Sequence, residues 1–121
     1  MLPDSVSRAD AVFNLQRMGL LLGALSAGRL ELLPDALDDR LHQPQRWGLF
    51  PWLPAAVAAA RGAGAVGCVL SGAGPSLLAP VAGPGDAVAS AMEAALRASG
   101  IAGRAVTLAV DVAGVTCEPV A

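Results

Sequence analysis

The feature that most constrains the fold is a run from Gly62 to Gly85 that contains no charged residue. Seven glycines and three prolines interrupt it, and both residue types break helices. The run therefore cannot form the uninterrupted apolar helix of about 20 residues that spans a bilayer. We predict that the run instead forms short strands joined by tight turns. The amino terminus, MLPDSVSRAD, also lacks a basic segment followed by an apolar stretch, so we expect no signal peptide, no membrane partner and a cytoplasmic protein.

Ahead of this run, the hydrophobic spacing is helical. Apolar residues recur at alternating intervals of four and three, at Ala11, Leu15, Met18, Leu22 and Leu25. This spacing predicts a helix over about 7–27 with one apolar stripe. Ser7 or Asp10 can cap its start, and Gly28 stands where a C-cap glycine belongs.

Proline positions divide the segment that follows. Pro34 predicts the start of a second helical stretch, which carries Asp35, Asp38 and Asp39 in its first turns, where acidic groups complement the helix dipole. A short Ala-rich helix is predicted over about 53–61, ending at Gly62.

The second half of the chain alternates short strands with one helix. Apolar runs predict strands over 66–70 and 77–81, with a tight loop between them. Asp86 is the predicted N-cap of a helix that ends at about Ser99 and has Val88, Met92, Ala95 and Ser99 on one face. Alternating residues predict a third strand over 106–110 and a fourth over 115–120. The expected fold is one α+β domain over residues 1–121, a four-stranded antiparallel sheet with helices on one face.

Charge and cysteine content exclude several function classes. The net charge is −2 and all eight basic residues are arginine, so no basic face for nucleic acid and no lysine chemistry are expected. Cys68 and Cys117 have no CxxC spacing and indicate two reduced thiols, with Cys68 expected to be a buried apolar residue. We predict no metal site.

The segment Gly62-Ala-Gly64-Ala-Val-Gly67 matches G-x-G-x-x-G, the dinucleotide-binding fingerprint. That fingerprint must follow a strand and open a helix, so that the pyrophosphate meets the helix amino terminus. Here the glycines follow a helix and lead into a strand. We therefore interpret them as a helix stop and a close backbone approach.

The segment Leu70-Ser-Gly-Ala-Gly-Pro-Ser76 is a second glycine-rich loop. Its N–H groups can face outward without side-chain obstruction, so the loop could accept an anion or pack on another phosphate-binding loop. A tight strand–strand turn would use the same residues. The segment alone does not decide between these two interpretations.

Together with its neighbours, this loop resembles the third conserved motif of GHMP kinases. Asp39-Arg-Leu-His-Gln-Pro-Gln-Arg46, followed by Leu49-Phe-Pro51, is similar to the D-R-L-H-x-P-x-R-x-x-L-x-P run of the homoserine-kinase branch. Leu2-Pro3, Arg8-Ala-Asp-Ala-Val12 and Asn14 resemble that branch's L-P-x-x-V-x-R-x-D-A-V-x-N segment. The resemblance covers nearly the whole chain in the right order and implies a GHMP carboxy-terminal domain with a ferredoxin-like sheet.

The resemblance also implies a reaction and site residues. The parent enzyme would transfer the γ-phosphoryl group of ATP, with Mg²⁺, to L-homoserine, giving O-phospho-L-homoserine in threonine biosynthesis. Arg46 would bind the substrate carboxylate, because a guanidinium offers it two parallel hydrogen bonds; a structural salt bridge is the alternative. His42 and Asn14 would position the substrate or serve packing and capping.

The same resemblance assigns the loop a supporting role and predicts what this chain lacks. Its residues would support the phosphate-binding loop of the parent enzyme: Ser71, Gly72, Ala73, Gly74 and Ser76. The family's P-x-x-x-G-L-G-S-S-A loop does not occur here. We therefore expect the amino-terminal ATP-binding domain to be absent, with no catalytic residue on this chain, no tight binding of ATP and no turnover in isolation.

Two other functions remain open at this point. One is a non-catalytic α+β domain that binds a small metabolite or a partner in the same cleft. The other is a GHMP kinase for a different substrate, such as mevalonate or galactose, which the D-R-L-H-x-P-x-R run disfavours. The expected partners are L-homoserine, the missing amino-terminal half and a second copy of the chain, because truncation should expose an apolar face.

Overall fold

A computed structural model describes residues 2–117. Five helices, one 3-10 turn and a two-stranded sheet make up the described chain. In order, they are α1 (Arg8–Ser26), the 3-10 turn (Leu30–Leu32), α2 (Leu33–Ala36), α3 (Gln43–Trp47), α4 (Leu53–Gly62), β1 (Val69–Leu70), β2 (Leu77–Leu78) and α5 (Asp86–Ala98).

Helix α1 begins and ends where the sequence predicts. The Ser7 Oγ accepts a hydrogen bond from the Asp10 N–H (3.0 Å) and donates one to Asp10 Oδ2 (2.6 Å). This exchange satisfies one of the free N–H groups of the first turn. Past the end of the helix, Gly28 adopts a positive φ of 66°, a conformation that glycine reaches without steric cost.

The second predicted helical stretch is shorter than expected. Helix α2 contains Pro34 in its first turn and ends at Ala36, so Asp38 and Asp39 lie beyond it rather than in its first turns. The Asp39 carboxylate instead accepts hydrogen bonds from N–H groups further along the chain. Short acidic side chains compete with helix propagation in this way, and the chain turns before α3.

The core lies between α4, α5 and the start of the sheet. Leu53, Ala56 and Ala60 on α4 are fully buried, and Ala60 clusters with Cys68 and Val88 of α5. Alanines four residues apart share one helix face, and their small side chains let α5 approach closely. Helix α4 confirms the predicted Ala-rich helix, and the burial of Cys68 confirms its assignment as an apolar core residue.

Helix α5 is also confirmed, with a different cap. Asp86 is its first helical residue and Gly85 is the N-cap. Gly85 is buried, and a Cβ at this position would lie 3.2 Å from the Thr107 Cγ2 atom. Close approach of the chain at Gly85 therefore selects glycine, while Asp86 favours the helix through its dipole.

The sheet is smaller than predicted. β1 and β2 pair antiparallel with Val69 opposite Leu78 and Leu70 opposite Leu77. The expectation of four strands from this chain alone is wrong over residues 2–117, because 106–110 and 115–117 form no strand there. Residues 118–120 of the predicted fourth strand lie outside the described residues. Alternating side chains predict a strand surface, but a ladder also needs a neighbouring edge.

The apolar stripe of α1 faces solvent. Leu15, Met18, Leu22 and Leu25 are between 53% and 72% exposed, whereas Ala24 on the same helix is buried. The hydrophobic spacing therefore predicted the helix but not the burial of its stripe within this chain. Among residues 2–117, no helix has both the length and the apolar content required to cross a membrane.

We predict that the exposed stripe of α1 makes the chain self-associate. Sedimentation velocity should show an average mass that rises with protein concentration. Replacing Leu15 and Leu22 together with Glu should abolish this rise, since charges on the stripe oppose its burial. Arg29→Glu with Glu31→Arg is the matched control, because it alters an exposed ion pair beside the stripe. A wild-type chain that stays monomeric at high concentration would contradict the prediction.

The two thiols should differ sharply in reactivity. Burial raises the pKa of the Cys68 thiol, against a smaller lowering by Arg61, whereas Cys117 is exposed. Because the thiolate is the reactive form, a disulfide reagent at pH 8 should modify one thiol per native chain rapidly and the second only on unfolding. The Cys117→Ser variant should lose the fast phase, and retention of that phase would refute the assignment.

Candidate functional site

The Asp39 carboxylate organises the segment that precedes α3. Its Oδ1 accepts hydrogen bonds from the Leu41 N–H (2.9 Å) and the Asn14 amide (2.6 Å). Its Oδ2 accepts from the His42 N–H (3.0 Å) and the Gln43 N–H. The three backbone donors are consecutive, so the carboxylate folds residues 39–43 into a tight turn from which α3 begins.

Asn14 joins this turn to α1. While its amide nitrogen donates to Asp39, its Oδ1 accepts a hydrogen bond from the Arg40 N–H (3.0 Å). Both polar groups of Asn14 are thus used to hold the turn. The sequence suggested substrate contact or capping for Asn14, and the contacts show it holding the segment that carries His42 and Arg46.

These hydrogen bonds keep Asp39 ionised. Burial raises the pKa of the Asp39 carboxyl, but hydrogen bonds from Gln43, Asn14, Leu41 and His42 lower it, and the net pKa lies below its ordinary value. Donors aimed at a carboxylate stabilise its charged form. The turn is therefore built around a fixed negative charge.

Gln43 connects the same turn to the sheet. Its Oε1 accepts a hydrogen bond from the Leu70 N–H (3.1 Å), and its Nε2 donates to the Leu37 carbonyl (3.4 Å). Leu70 is the last residue of β1, immediately before the glycine-rich loop. Sequence reasoning gave Gln43 no role, and its only signal was its place within the Asp39–Arg46 run.

The glycine-rich loop is a tight connection between β1 and β2. The Ser71 N–H donates to the Ser76 carbonyl (2.9 Å) and the Gly74 N–H to the Ser71 carbonyl (3.2 Å). Gly72 and Gly74 have φ values of 57° and 83°, which favour glycine. The N–H groups of Gly72 and Ala73 bond to no other described residue, so the turn leaves donors available for an anion.

Phe50 brings the two motif regions into contact. A Cβ on Gly74 would lie 2.7 Å from the Phe50 Cε2 atom and 3.0 Å from the Leu70 Cδ2 atom. Glycine is therefore favoured at position 74 for two reasons: its backbone has a positive φ, and Phe50 occupies the space that a side chain would need. The structure thus places the run from Asp39 to Phe50 directly against the loop.

A groove of about 290 Å³ runs beside the Asp39 turn. Of the predicted site residues, Asn14 and His42 line it, together with Asp39, Gln43 and Arg17. Sequence reasoning missed Arg17. Its signal was a position three residues after Asn14, on the same face of α1.

Arg46 lies on α3, one turn after His42, and does not line this groove. Its side chain is half-buried, and its Nε is buried without a hydrogen-bond partner among residues 2–117. No carboxylate of the described residues lies within 4.0 Å of its guanidinium. The alternative of a structural salt bridge is therefore not realised within this part of the chain.

The Nε of Arg17 is buried and unpaired among the described residues in the same way. Its guanidinium lies 4.3 Å from the ring centroid of Phe13, and that of Arg40 lies 3.8 Å from the same ring. Such stacking holds a guanidinium in place while leaving its N–H groups free. Between Leu2 and Cys117, no three His, Cys, Asp or Glu side chains are grouped closely enough to bind a metal ion.

The G-x-G-x-x-G segment has the structural role that its order along the chain indicates. Helix α4 ends at Gly62, Gly64 has a positive φ of 102°, and a Cβ on Gly67 would collide with the Leu37 side chain. The glycines stop a helix and allow close packing before β1. The predicted helix stop and close backbone approach are therefore both observed.

Comparisons with known proteins agree with the motifs. The family model "GHMP kinases C terminal" matches residues 21–100. The homoserine kinase of Trichormus variabilis is 49% identical over 117 residues, which are 96% of this chain and 39% of that protein. The homoserine kinase of Desulfitobacterium hafniense is 45% identical over 94% of this chain and 39% of its own length.

A solved structure shows the same likeness. The crystal structure of homoserine kinase from Cytophaga hutchinsonii superposes with a TM-score of 0.75 at 29% identity, over 81% of this chain and 32% of that one. The chain thus spans about 39% of the length of the curated relatives described above.

We predict that Asp39→Ala destabilises the chain by roughly 1–3 kcal/mol, since it leaves several partly buried N–H groups without an acceptor. Asp35→Ala removes an equal charge from an exposed position with no side-chain hydrogen bond and should change stability by under about 0.5 kcal/mol. Urea unfolding followed by circular dichroism measures both. Equal effects of the two substitutions would contradict the role of Asp39.

The contribution of Asp39 should also depend on pH. Because its folded pKa is lowered, its stabilisation is present above the unfolded value of about 3.9 and is lost as the pH falls through the folded value. The stability difference between wild type and Asp39→Ala should therefore be constant from pH 5 to 8 and shrink below about pH 4. A difference that grows on acidification would have the wrong sign.

Proposed function

The chain belongs to the GHMP kinase family, whose carboxy-terminal region it matches, and on this premise we propose that it is the carboxy-terminal part of a homoserine kinase. The parent reaction transfers the γ-phosphoryl group of ATP to the hydroxyl of L-homoserine, yields O-phospho-L-homoserine and serves threonine biosynthesis in the cytoplasm. The proposal is supported by 42–49% identity to homoserine kinases over almost the full chain. In this proposal, residues 1–121 form one domain.

The observation that carries the proposal is the half-buried guanidinium of Arg46, which has no hydrogen-bond or ion-pair partner among residues 2–117. A buried Nε without a partner costs free energy unless a ligand or another group satisfies it. The fork of N–H groups on a guanidinium matches the two oxygens of a carboxylate. Arg46 lies on α3, which begins at the Asp39 turn, so a bound amino acid would have its carboxylate at α3 and its hydroxyl free to face the phosphate donor.

His42 and Asn14 would position the substrate rather than react with it. His42 lines the groove next to the Asp39 turn, so its ring can hydrogen-bond to a polar group placed there. Asn14 would act through Asp39 and Arg40, which it contacts directly. Arg17, which also lines this groove, would offer a guanidinium to the substrate there.

The glycine-rich loop would support the phosphate-binding loop of the parent enzyme. The free N–H groups of Gly72 and Ala73 suit an acceptor-rich neighbour, and Ser71 and Ser76 are exposed beside them. Gly74 holds the loop against Phe50. These donors fit a phosphate-facing surface, whereas Mg²⁺ is bound through carboxylates together with substrate phosphates. Residues 2–117 contain no cluster of three or more His, Cys, Asp or Glu side chains arranged to hold a metal ion.

ATP and Mg²⁺ would therefore be held chiefly by the amino-terminal half of the parent enzyme. When bound there, they supply the transferred phosphoryl group and neutralise its charge. This chain's own residues orient homoserine and support the loop at the phosphates. We propose that the isolated chain does not bind ATP tightly and does not turn over substrate.

The runner-up is a non-catalytic domain that binds a metabolite or partner through the same cleft. Two measurements separate this alternative from the kinase: titration calorimetry of the chain with L-homoserine, and a phosphorylation assay of the chain mixed with the amino-terminal part of the Trichormus variabilis enzyme. Homoserine phosphorylation by the mixture supports the kinase. Homoserine binding without phosphorylation in any mixture supports the runner-up.

We predict that Arg46→Ala in the reconstituted enzyme raises the KM for homoserine about 10- to 100-fold, as expected for loss of charge-assisted hydrogen bonds worth roughly 1.5–3 kcal/mol. The KM for ATP should change less than about twofold. Arg61→Ala on α4, which removes an exposed guanidinium, is the matched control. Equal increases in both KM values would contradict the carboxylate assignment.

A further inference from the structure

The side chain of Gln43 forms hydrogen bonds at both of its polar ends. Its Oε1 accepts a bond from the Leu70 N–H (3.1 Å), and its Nε2 donates one to the Leu37 carbonyl (3.4 Å). Leu70 immediately precedes the glycine-rich loop, and Leu37 immediately follows α2. The amide is therefore used to join separate elements of the fold rather than to stabilise α3 itself.

The Leu70 N–H lies on the edge of β1 that β2 does not occupy. Leu70 stands opposite Leu77, and the next pair along the ladder, Ser71 and Ser76, shares a backbone hydrogen bond of 2.9 Å. Because bonded and non-bonded pairs alternate in an antiparallel ladder, Leu70 directs its N–H away from β2. The Gln43 amide therefore takes the place of a neighbouring strand at this position.

The backbone of Gln43 belongs to the segment that carries Arg46. Gln43 is the first residue of α3, and Arg46 follows on the same short helix. The Gln43 N–H donates to Asp39 Oδ2, which attaches the start of the helix to the turn. One residue thus has its backbone in α3 and its side chain on the strand that leads into the loop. A shift of α3 along β1 would break the hydrogen bond to Leu70.

A second contact between these two regions is apolar and less directional. The Phe50 ring fills the space beside Gly74 that a side chain would need. Apolar burial of this kind resists separation, but it does not fix a precise position, because the hydrophobic effect is non-directional. A hydrogen bond, by contrast, weakens steeply as its angle departs from linear. The position of the loop relative to α3 is therefore set at Gln43.

We propose that Gln43 is a positioning residue for phosphoryl transfer, which fixes the glycine-rich loop relative to α3 and so aligns the phosphate donor with homoserine bound at Arg46. This role rests on the proposed function, in which Arg46 holds the substrate carboxylate and the loop supports the phosphates. Because both ends of its amide are already bonded, Gln43 acts through Leu70 and α3. A misplacement of about 1 Å between reacting groups can lower a rate about 100-fold.

A positioning role separates the effect on turnover from the effect on binding. When the bond from Gln43 to Leu70 is lost, Arg46 and the loop keep their own contacts to the ligands, so both KM values should change little. The alignment of the two ligands is lost, and this lowers kcat. A residue that only stabilised α3 would instead weaken homoserine binding and raise the homoserine KM.

The kinetic test uses residues 1–121 mixed with a separately expressed amino-terminal part of the Trichormus variabilis homoserine kinase. Gln43→Met keeps the length of the side chain but removes both hydrogen bonds, and it should lower kcat at least about tenfold while each KM changes less than about threefold. Gln45→Met, at an exposed glutamine of the same helix, is the matched control and should leave kcat unchanged. A higher homoserine KM without a lower kcat in Gln43→Met would overturn the proposal.

A measurement on the free chain tests the position of the loop without catalysis. In Gln43→Met, the Leu70 amide should exchange with deuterium at least about tenfold faster, and the amide resonances of Gly72 and Ala73 should shift in the NMR spectrum. Ala94→Gly, at an exposed position within α5, lowers helix stability and should leave those resonances in place. Identical loop resonances in wild type and Gln43→Met would refute the positioning role.

Gln43→Asn is the second variant, in case Gln43→Met fails to fold. It keeps the amide but is one methylene shorter, so its oxygen falls short of the Leu70 N–H and kcat should again decrease. A wild-type mixture that does not phosphorylate homoserine would refute the proposed function, and the free-chain resonances would then decide whether Gln43 positions the loop. Phosphorylation with wild-type kcat in both Gln43 variants would leave the function intact and refute the positioning role.

Discussion

The arrangement of the site depends on one ionised carboxylate. Asp39 receives three consecutive backbone N–H groups and the Asn14 amide, which ends the helical course after α2 and sets the start of α3. Through Asn14 the turn is attached to α1, and through Gln43 it is attached to β1. Because one negative charge satisfies four donors at once, the turn is fixed, and its hydrogen bonds through Asn14 and Gln43 connect it to α1 and β1.

The core is stabilised by close packing around small residues, because it contains few large buried side chains. Ala56 and Ala60 let α4 and α5 approach, and Gly67 and Gly74 leave space for Leu37 and Phe50. Among residues 2–117, Leu53 is the only large side chain that is fully buried. A core of this kind tolerates little added volume, so these glycines and alanines are constrained by their neighbours more than by their own conformational preferences.

The exposed stripe of α1 and the unpaired segment 104–110 both have patterns that are set by local sequence. No element within residues 2–117 covers the stripe or pairs with that segment. A helix forms its backbone hydrogen bonds within itself, so α1 exists without cover. A strand completes its hydrogen bonds only with a neighbour, so 104–110 stays straight and unpaired, and the sheet stops at two strands.

The sequence by itself determined helices α1, α4 and α5, the helix-stop glycines and the motif runs around Arg46 and Gly72, because these depend on residues close together in the chain. Of the site, it indicated Arg46, His42, Asn14 and the loop but not Arg17. Only the tertiary structure decided that Gln43 joins the Asp39 turn to β1, that Arg46 has no ion pair within residues 2–117 and that the α1 stripe is exposed. The Gln43–Leu70 hydrogen bond joins residues 27 positions apart, and no local pattern encodes such a contact.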